Sequence, residues 1–186
     1  MTEEKGMTEE KGMKEELRDD GSGILKYEAV NLFAPIVIGG AHIDLDPDWI
    51  EKVKDWARNN SKESHHGNML TTFGSTEQPH LVSWMWDGVL EKIAEKDAWV
   101  NSWVQIYDTA GFHPPHNHAG QVGVNASGCL YLSEGPSTYY MDPLHRQNTA
   151  SRPKVDIGDV AIWDAELFHF SPPIVGERVV LSFNLQ

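Results

Sequence analysis

The chain has 186 residues, a length for one domain rather than two, and 40% of them are hydrophobic, enough to build a core. Acidic residues outnumber basic ones by 28 to 15, and the net charge of −13 repels phosphate backbones and anionic bilayers, so neither nucleic acid nor membrane is expected as a partner. One cysteine, Cys129, excludes an intrachain disulfide and a cysteine-based zinc site, and the charged N-terminus with no long apolar run predicts a cytoplasmic protein.

Residues 1–23 read as an acidic tail. Met1–Gly6 (MTEEKG) repeats at Met7–Gly12, with an imperfect third copy at Met13–Glu16. Eight acids and four bases give residues 1–20 a charge of −4, and their three Met and one Leu bury too little to offset ordering. A disordered or frayed-helical tail is expected, ending at Gly21-Ser22-Gly23. The remaining −9 belongs to a single domain over 24–186.

Within that domain, 24–98 reads as a helical support region and 99–186 as a β core. Ala34–Gly39 (APIVIG) is a short β-type run. Asp46-Pro47 opens a helix, with Trp49, Val53 and Trp56 on one face. Asn59–Gly74 is polar and turn-rich and includes His65-His66. A second helix is expected from about Pro79 to Lys96, its stripe formed by Leu81, Met85, Val89 and Ile93. Strands are expected at Trp99–Tyr107, Asn125–Ser133, Ser137–Met141, Asp159–Trp163 and Arg178–Asn184, separated by Gly, Pro and Asn turns. Short strands at this spacing, braced by helices, predict a mainly β fold of the sandwich, jelly-roll or small-barrel type.

Three local patterns carry chemistry. The stretch Phe112–Gly120 (FHPPHNHAG) holds His113, His116 and His118. On one strand the two-residue period places His116 and His118 on one face, where two imidazoles can bind one metal ion; a polar loop explains the same letters without a metal. Gly158–Arg178 contributes His169, flanked by Phe168 and Phe170, 53 residues after His116 and on a distant strand, where a third ligand or a satisfied core histidine would both fit. Arg178 offers a planar, permanently charged fork that pairs with a carboxylate, and Ser182 shares its strand face. Tyr131, on the Gly128–Leu132 strand, carries a phenol that can point inward.

The chain resembles the iron(II)- and 2-oxoglutarate-dependent oxygenases, in particular the prolyl-hydroxylase-like superfamily and its H-x-H variant. The matching stretches are HNH (116–118), SGCLYL (127–132), MDP (141–143), GDVAIWDAELFH (158–169) and ERVVLSFN (177–184), which together cover roughly Trp103 to Gln186. The resemblance implies a double-stranded β-helix, cupin-like, with N-terminal helices flanking it. It implies His116 and His169 as metal ligands. His118 stands where the wider superfamily carries Asp or Glu and is taken as the third ligand, with Asp142 as the alternative. Arg178 would bind the distal carboxylate of 2-oxoglutarate, with Ser182 and Tyr131 as hydrogen-bond donors. The implied cofactors are Fe(II) and 2-oxoglutarate. The implied reaction consumes O2 and hydroxylates a small-molecule or peptide substrate while 2-oxoglutarate becomes succinate and CO2. Two other readings suit the same residues: a cupin-like three-His dioxygenase or isomerase that does not use 2-oxoglutarate, and a non-catalytic jelly-roll binding module.

Overall fold

The computed structural model describes residues 28–33, 36–142, 149–150 and 154–186. The repeat at 1–23, and Pro143 of the MDP stretch, lie outside them. In chain order the elements are strands β1 (Glu28–Phe33) and β2 (Ile36–His42), helix α1 (Pro47–Asn60), strands β3 (Lys62–Glu63) and β4 (Met69–Thr71), the single-turn helix α2 (Ser83–Trp86), and then β5 (Trp99–Tyr107), β6 (His113–His116), β7 (Ala126–Tyr131), β8 (Tyr139–Met141), β9 (Thr149–Ala150), β10 (Asp159–Asp164), β11 (His169–Ser171) and β12 (Arg178–Leu185). They form two antiparallel sheets. The larger has the order β1-β2-β10-β7-β12-β5-β4-β3 and the smaller β6-β11-β8-β9.

The period of two on the central strands sorts the molecule into layers. Val179, Leu181 and Phe183 of β12 and Val104 and Ile106 of β5 pack with Leu130 and Val160 against Ile50, Val53 and Ala57 of α1 and against Met85, Leu90 and Ile93. Each of these Val, Leu, Ile, Phe and Met side chains taken fully out of water contributes about 1.5–3 kcal/mol. Alternate residues of the same strands, among them Tyr107, Cys129, Tyr131, Trp163 and Val180, turn the other way and pack with Tyr140 of the small sheet. The helices therefore cover one face of the large sheet, and the small sheet faces the other.

Two glycines are required by close approach. A Cβ at Gly128 would lie 2.5 Å from the Phe183 ring and 2.6 Å from the Ala161 carbonyl oxygen, so the ring of β12 lies over a gap that only glycine leaves. Gly158, at φ +92°, turns the chain into β10, and a Cβ there would run into the Ile43 carbonyl. Its own carbonyl accepts from Ile43 N–H at 2.9 Å and its N–H donates to the Tyr131 carbonyl at 2.8 Å.

Helix α1 starts as expected. Asp46 caps it by accepting from Asp48 N–H at 2.9 Å, and Pro47 occupies the first turn. The rest of the expected helical region differs in two places. Residues 28–33 and 36–42 form two strands, the second overlapping the β-type run expected at Ala34–Gly39, and β2 pairs with β10 with Gly40 opposite Ala161, so the β core recruits the N-terminal segment as its edge. The single helix expected over Pro79–Lys96 is broken into short turns at Pro79–Leu81, Ser83–Trp86, Leu90–Lys92 and Lys96–Ala98. Gly88, at φ +79°, breaks the run, and the Glu91 carboxylate accepts from its N–H at 2.6 Å. Met85, Val89 and Ile93 are still buried, whereas Leu81 is exposed. Among the described residues no helix is long and apolar enough to cross a membrane.

Candidate metal centre

His116 closes β6 and lies directly opposite His169 on β11. His118 is not on the strand with His116. The strand ends at His116, and the chain turns so that His118 N–H donates to the Ala165 carbonyl at 2.8 Å while Asn117 Nδ2 donates to the Glu166 carbonyl at 3.2 Å. These bonds tie the turn to the segment before β11, and they bring the third ring back toward the other two. Ring centroids are 4.3 Å apart for His116 and His169, 5.2 Å for His118 and His169, and 5.3 Å for His116 and His118. One ring nitrogen from each lies within 4.8 Å of the others. His118 and His169 are buried, with Trp103 stacked on the first and Trp163 edge-on to the second.

The tautomers are set by what each Nδ1 meets. His116 Nδ1 lies 2.9 Å from the Pro114 carbonyl, His169 Nδ1 lies 3.0 Å from the Leu167 carbonyl, and His118 Nδ1 lies 2.6 Å from Asn184 Oδ1. These oxygens can only accept, so Nδ1 carries the proton and Nε2 is left with its lone pair. The Trp163 indole N–H also comes within 3.2 Å of His169 Nδ1. Both bonds cannot form with one nitrogen. A bare Nδ1 would set its lone pair against the Leu167 oxygen, so the Leu167 bond governs. Three Nε2 atoms held by bonds at Nδ1 are the usual arrangement of a histidine metal site, and an all-imidazole set suits first-row metals such as iron, nickel, copper and zinc.

Burial keeps these rings neutral. It lowers His116 to about 4, with the Pro114 carbonyl opposing the fall and His118 and His66 adding to it. Burial lowers His118 against the pull of Asn184, and it takes His169 well below the ordinary imidazole value, helped by His116. His113, packed 4.1 Å from His116 and 5.0 Å from His66, falls to about 3, first by burial and then by the neighbouring His116. A histidine depressed in the fold costs stability only where the unfolded chain is protonated and the fold is not. The metal-free protein should therefore hold its stability above about pH 6.5 and lose it steadily toward about pH 4. The urea midpoint between pH 7 and 4 reads this, and a flat midpoint would refute it.

Arg178, at the start of β12, is 2% exposed. One terminal nitrogen donates to Ser171 Oγ, the other to Thr138 Oγ1 at 3.3 Å, and Nε has no partner. Its guanidinium lies 5.2 Å from the Tyr107 ring centre and 5.7 Å from that of Tyr131. No carboxylate among the described residues pairs with it. Arg178, Ser182, Thr138 and Ser171 line one chamber with the three histidines, a narrow space of about 30 Å³. Tyr131 stands behind it: its hydroxyl donates to Thr138 Oγ1 at 3.0 Å and accepts from Thr138 N–H at 2.9 Å. Ser182 Oγ donates to Gln105 Oε1 at 2.9 Å. Asp142 is half-buried at the end of β8 and is not part of the three-His group. The sequence alone does not single out Ser171, Thr138 or Asn184; Asn184 closes the ERVVLSFN stretch beside Phe183, and Ser171 lies two residues past the GDVAIWDAELFH stretch, beside Phe170. A wider cavity of about 440 Å³ adjoins the chamber, and His66, Phe73, Trp103, His113 and Gln121 are among its walls.

No family model and no curated protein matches the chain. Solved structures do. HygX from Streptomyces hygroscopicus, with nickel and 2-oxoglutarate bound, superposes with a TM-score of 0.60 at 11% identity, covering 80% of this chain and 82% of that one. A prolyl-4-hydroxylase from Pseudomonas putida gives 0.53 at 12%, covering 80% and 91%. The non-heme α-ketoglutarate-dependent epimerase SnoN from nogalamycin biosynthesis gives 0.59 at 12%, covering 80% and 77%. The fold is a double-stranded β-helix. Its two sheets are those described above, and the three histidines and Arg178 lie between them.

Proposed function

We propose that the chain is an Fe(II)- and 2-oxoglutarate-dependent oxygenase acting on a small-molecule or peptide substrate, with His116, His118 and His169 as metal ligands. The observation that carries the reading is Arg178: a buried cation, without a carboxylate among the described residues, in the same chamber as three converging imidazoles. A buried charge without a counter-charge is unfavourable and draws in an anion. A diacid whose near end reaches the metal and whose far carboxylate reaches Arg178 satisfies both ends of the chamber. Solved neighbours of the same fold hold or use such a diacid, HygX with 2-oxoglutarate and nickel among them.

The metal and 2-oxoglutarate supply oxidation of a C–H bond by O2, with succinate and CO2 as co-products. The residues do the holding. Arg178 presents its fork, and Ser171 and Thr138 orient that fork through their hydroxyls. Tyr131 fixes Thr138, and Ser182 is anchored to Gln105. Trp103 and Trp163 wall the imidazoles from water. The chamber is narrow, so a diacid enters by parting these side chains, and the cavity beyond His113 and Phe73 receives the substrate.

Anaerobic addition of Fe(II) and 2-oxoglutarate should give a weak visible charge-transfer band, and admitting O2 should release succinate. Fe(II) binding with no band and no succinate would favour the cupin-like three-His enzyme, to which an all-neutral ligand set is equally suited. No Fe(II) binding at all would leave the non-catalytic module.

A further inference from the structure

The three histidines are not held in the same way. His116 and His169 direct Nδ1 to backbone carbonyls two residues away, so their own turns fix them. The partner of His118 comes from Asn184, 66 residues distant on β12. Asn184 is fully buried, and its amide is used completely. Oδ1 accepts from His118 Nδ1 at 2.6 Å and from Ser127 Oγ at 2.7 Å, while Nδ2 donates to Asn101 Oδ1 at 2.8 Å and to Gln121 Oε1 at 3.3 Å. Two lone pairs and two N–H groups are the whole capacity of this side chain. Asn101 and Gln121, by accepting from Nδ2, keep the oxygen turned toward the imidazole, and Ser127 only fills the second lone pair.

We infer that Asn184 is a positioning residue whose side-chain oxygen fixes His118 as the Nδ1–H tautomer and so presents Nε2 to the metal. The inference rests on the proposed metal site. His118 lies beyond the end of its strand, and without Asn184 no bond from the described residues chooses between its two ring nitrogens. An imidazole protonated at Nε2 cannot ligate through that atom, so the tautomer is part of the site. The partner is an amide, so the ligand set stays neutral. An Asn184→Asp variant keeps the acceptor and adds negative charge behind His118, while Asn101 and Gln121 can rotate their amides to meet the new oxygen.

The tautomer can be read in the metal-free protein by long-range 15N–1H NMR of the His118 ring, and the metal by Co(II) titration followed by calorimetry and visible absorption. Wild type should show Nδ1–H at His118 and bind one Co(II). Asn184→Leu should show Nε2–H and bind Co(II) 10- to 100-fold more weakly, the usual loss for such an outer partner. Asn184→Asp should keep Nδ1–H and wild-type affinity with a shifted Co(II) band. Ser127→Ala, which leaves the His118 bond in place, should change neither tautomer nor affinity. The inference is overturned by Nε2–H in wild type, by wild-type affinity in Asn184→Leu, or by an equal loss in Ser127→Ala. Should Asn184→Leu fail to fold, a folded Asn184→Asp that binds Co(II) tenfold more weakly overturns it alone. A wild-type protein that binds no Co(II) sinks the metal reading itself, an outcome distinct from these.

Discussion

Replacing His169 with alanine should take anaerobic Fe(II) binding from one equivalent to none measurable, a loss of at least about a hundredfold, since removing even an outer partner of a metal ligand costs 10- to 100-fold. The effect is large because no fourth ligating side chain among the described residues joins the group. The group of converging ligand atoms holds three imidazoles and no carboxylate, so two would remain. His113 is 4.1 Å from His116 by ring centres and lines both the chamber and the outer cavity, but it is not in that group. The substitution also strands the Leu167 carbonyl, at a cost of about 1–3 kcal/mol, so folding has to be checked by circular dichroism alongside the calorimetry. His80→Gln is the control: that histidine is buried 2.8 Å from Ser102 Oγ and belongs to a different part of the core, so iron binding should survive. Retention of one tight Fe(II) by a folded His169→Ala protein would remove the three-His site from consideration.

What the sequence made legible was whatever repeats with a short period. The strand expected at Trp99–Tyr107 is β5 residue for residue, and Arg178–Asn184 falls one residue short of β12. In both, Val, Leu or Phe alternate with polar or bulky residues, and the structure sends the two sets to opposite faces. His169 stood out because a distant strand of one β fold has to return to His116. What was illegible depended on partners far along the chain. The run Ala34–Gly39 marks the start of β2, but Gly39-Gly40 weakens the signal beyond it, and the strand continues to His42 through pairing with β1 and β10. Gly88 reads as a tolerable interruption of a helical stripe, yet it turns at positive φ and ends the helix. His118 is drawn off its strand by the Ala165 carbonyl, 47 residues later, so the same-face argument reached convergence by the wrong route. Ser171 and Thr138 are small hydroxyl residues, too common to single out until Arg178 is seen between them. Tyr131 was read as pointing inward; its hydroxyl does so, but it ends on Thr138.

Arg178→Met should make the ligand-free protein no less stable while removing its use of 2-oxoglutarate, and the opposite signs make the test decisive. In the proposed role the guanidinium is a buried charge waiting for its partner. Exchanging such a group for an apolar one of similar volume is often neutral or stabilising by about 1–4 kcal/mol, because no desolvated charge is left behind. Ser171 and Thr138 lose a donor each but keep hydroxyls that can bond elsewhere. Losing the charged partner of a buried carboxylate, by contrast, costs about 2–5 kcal/mol, so the apparent affinity for 2-oxoglutarate should fall at least about thirtyfold. Fe(II) affinity without the diacid should change little, since the imidazoles keep their own Nδ1 partners. Arg178→Lys should fall between, keeping the charge and losing the two-pronged geometry. A structural arginine predicts the reverse pattern: Arg178→Met would lose stability, because the contacts to Ser171, Thr138 and the faces of Tyr107 and Tyr131 would be what the residue is for, and succinate formation in the surviving folded fraction would keep its wild-type requirement for 2-oxoglutarate. Urea denaturation of the metal-free variants and succinate release against 2-oxoglutarate concentration read the two axes separately, and a loss of stability with an unchanged requirement would remove Arg178 from the diacid site.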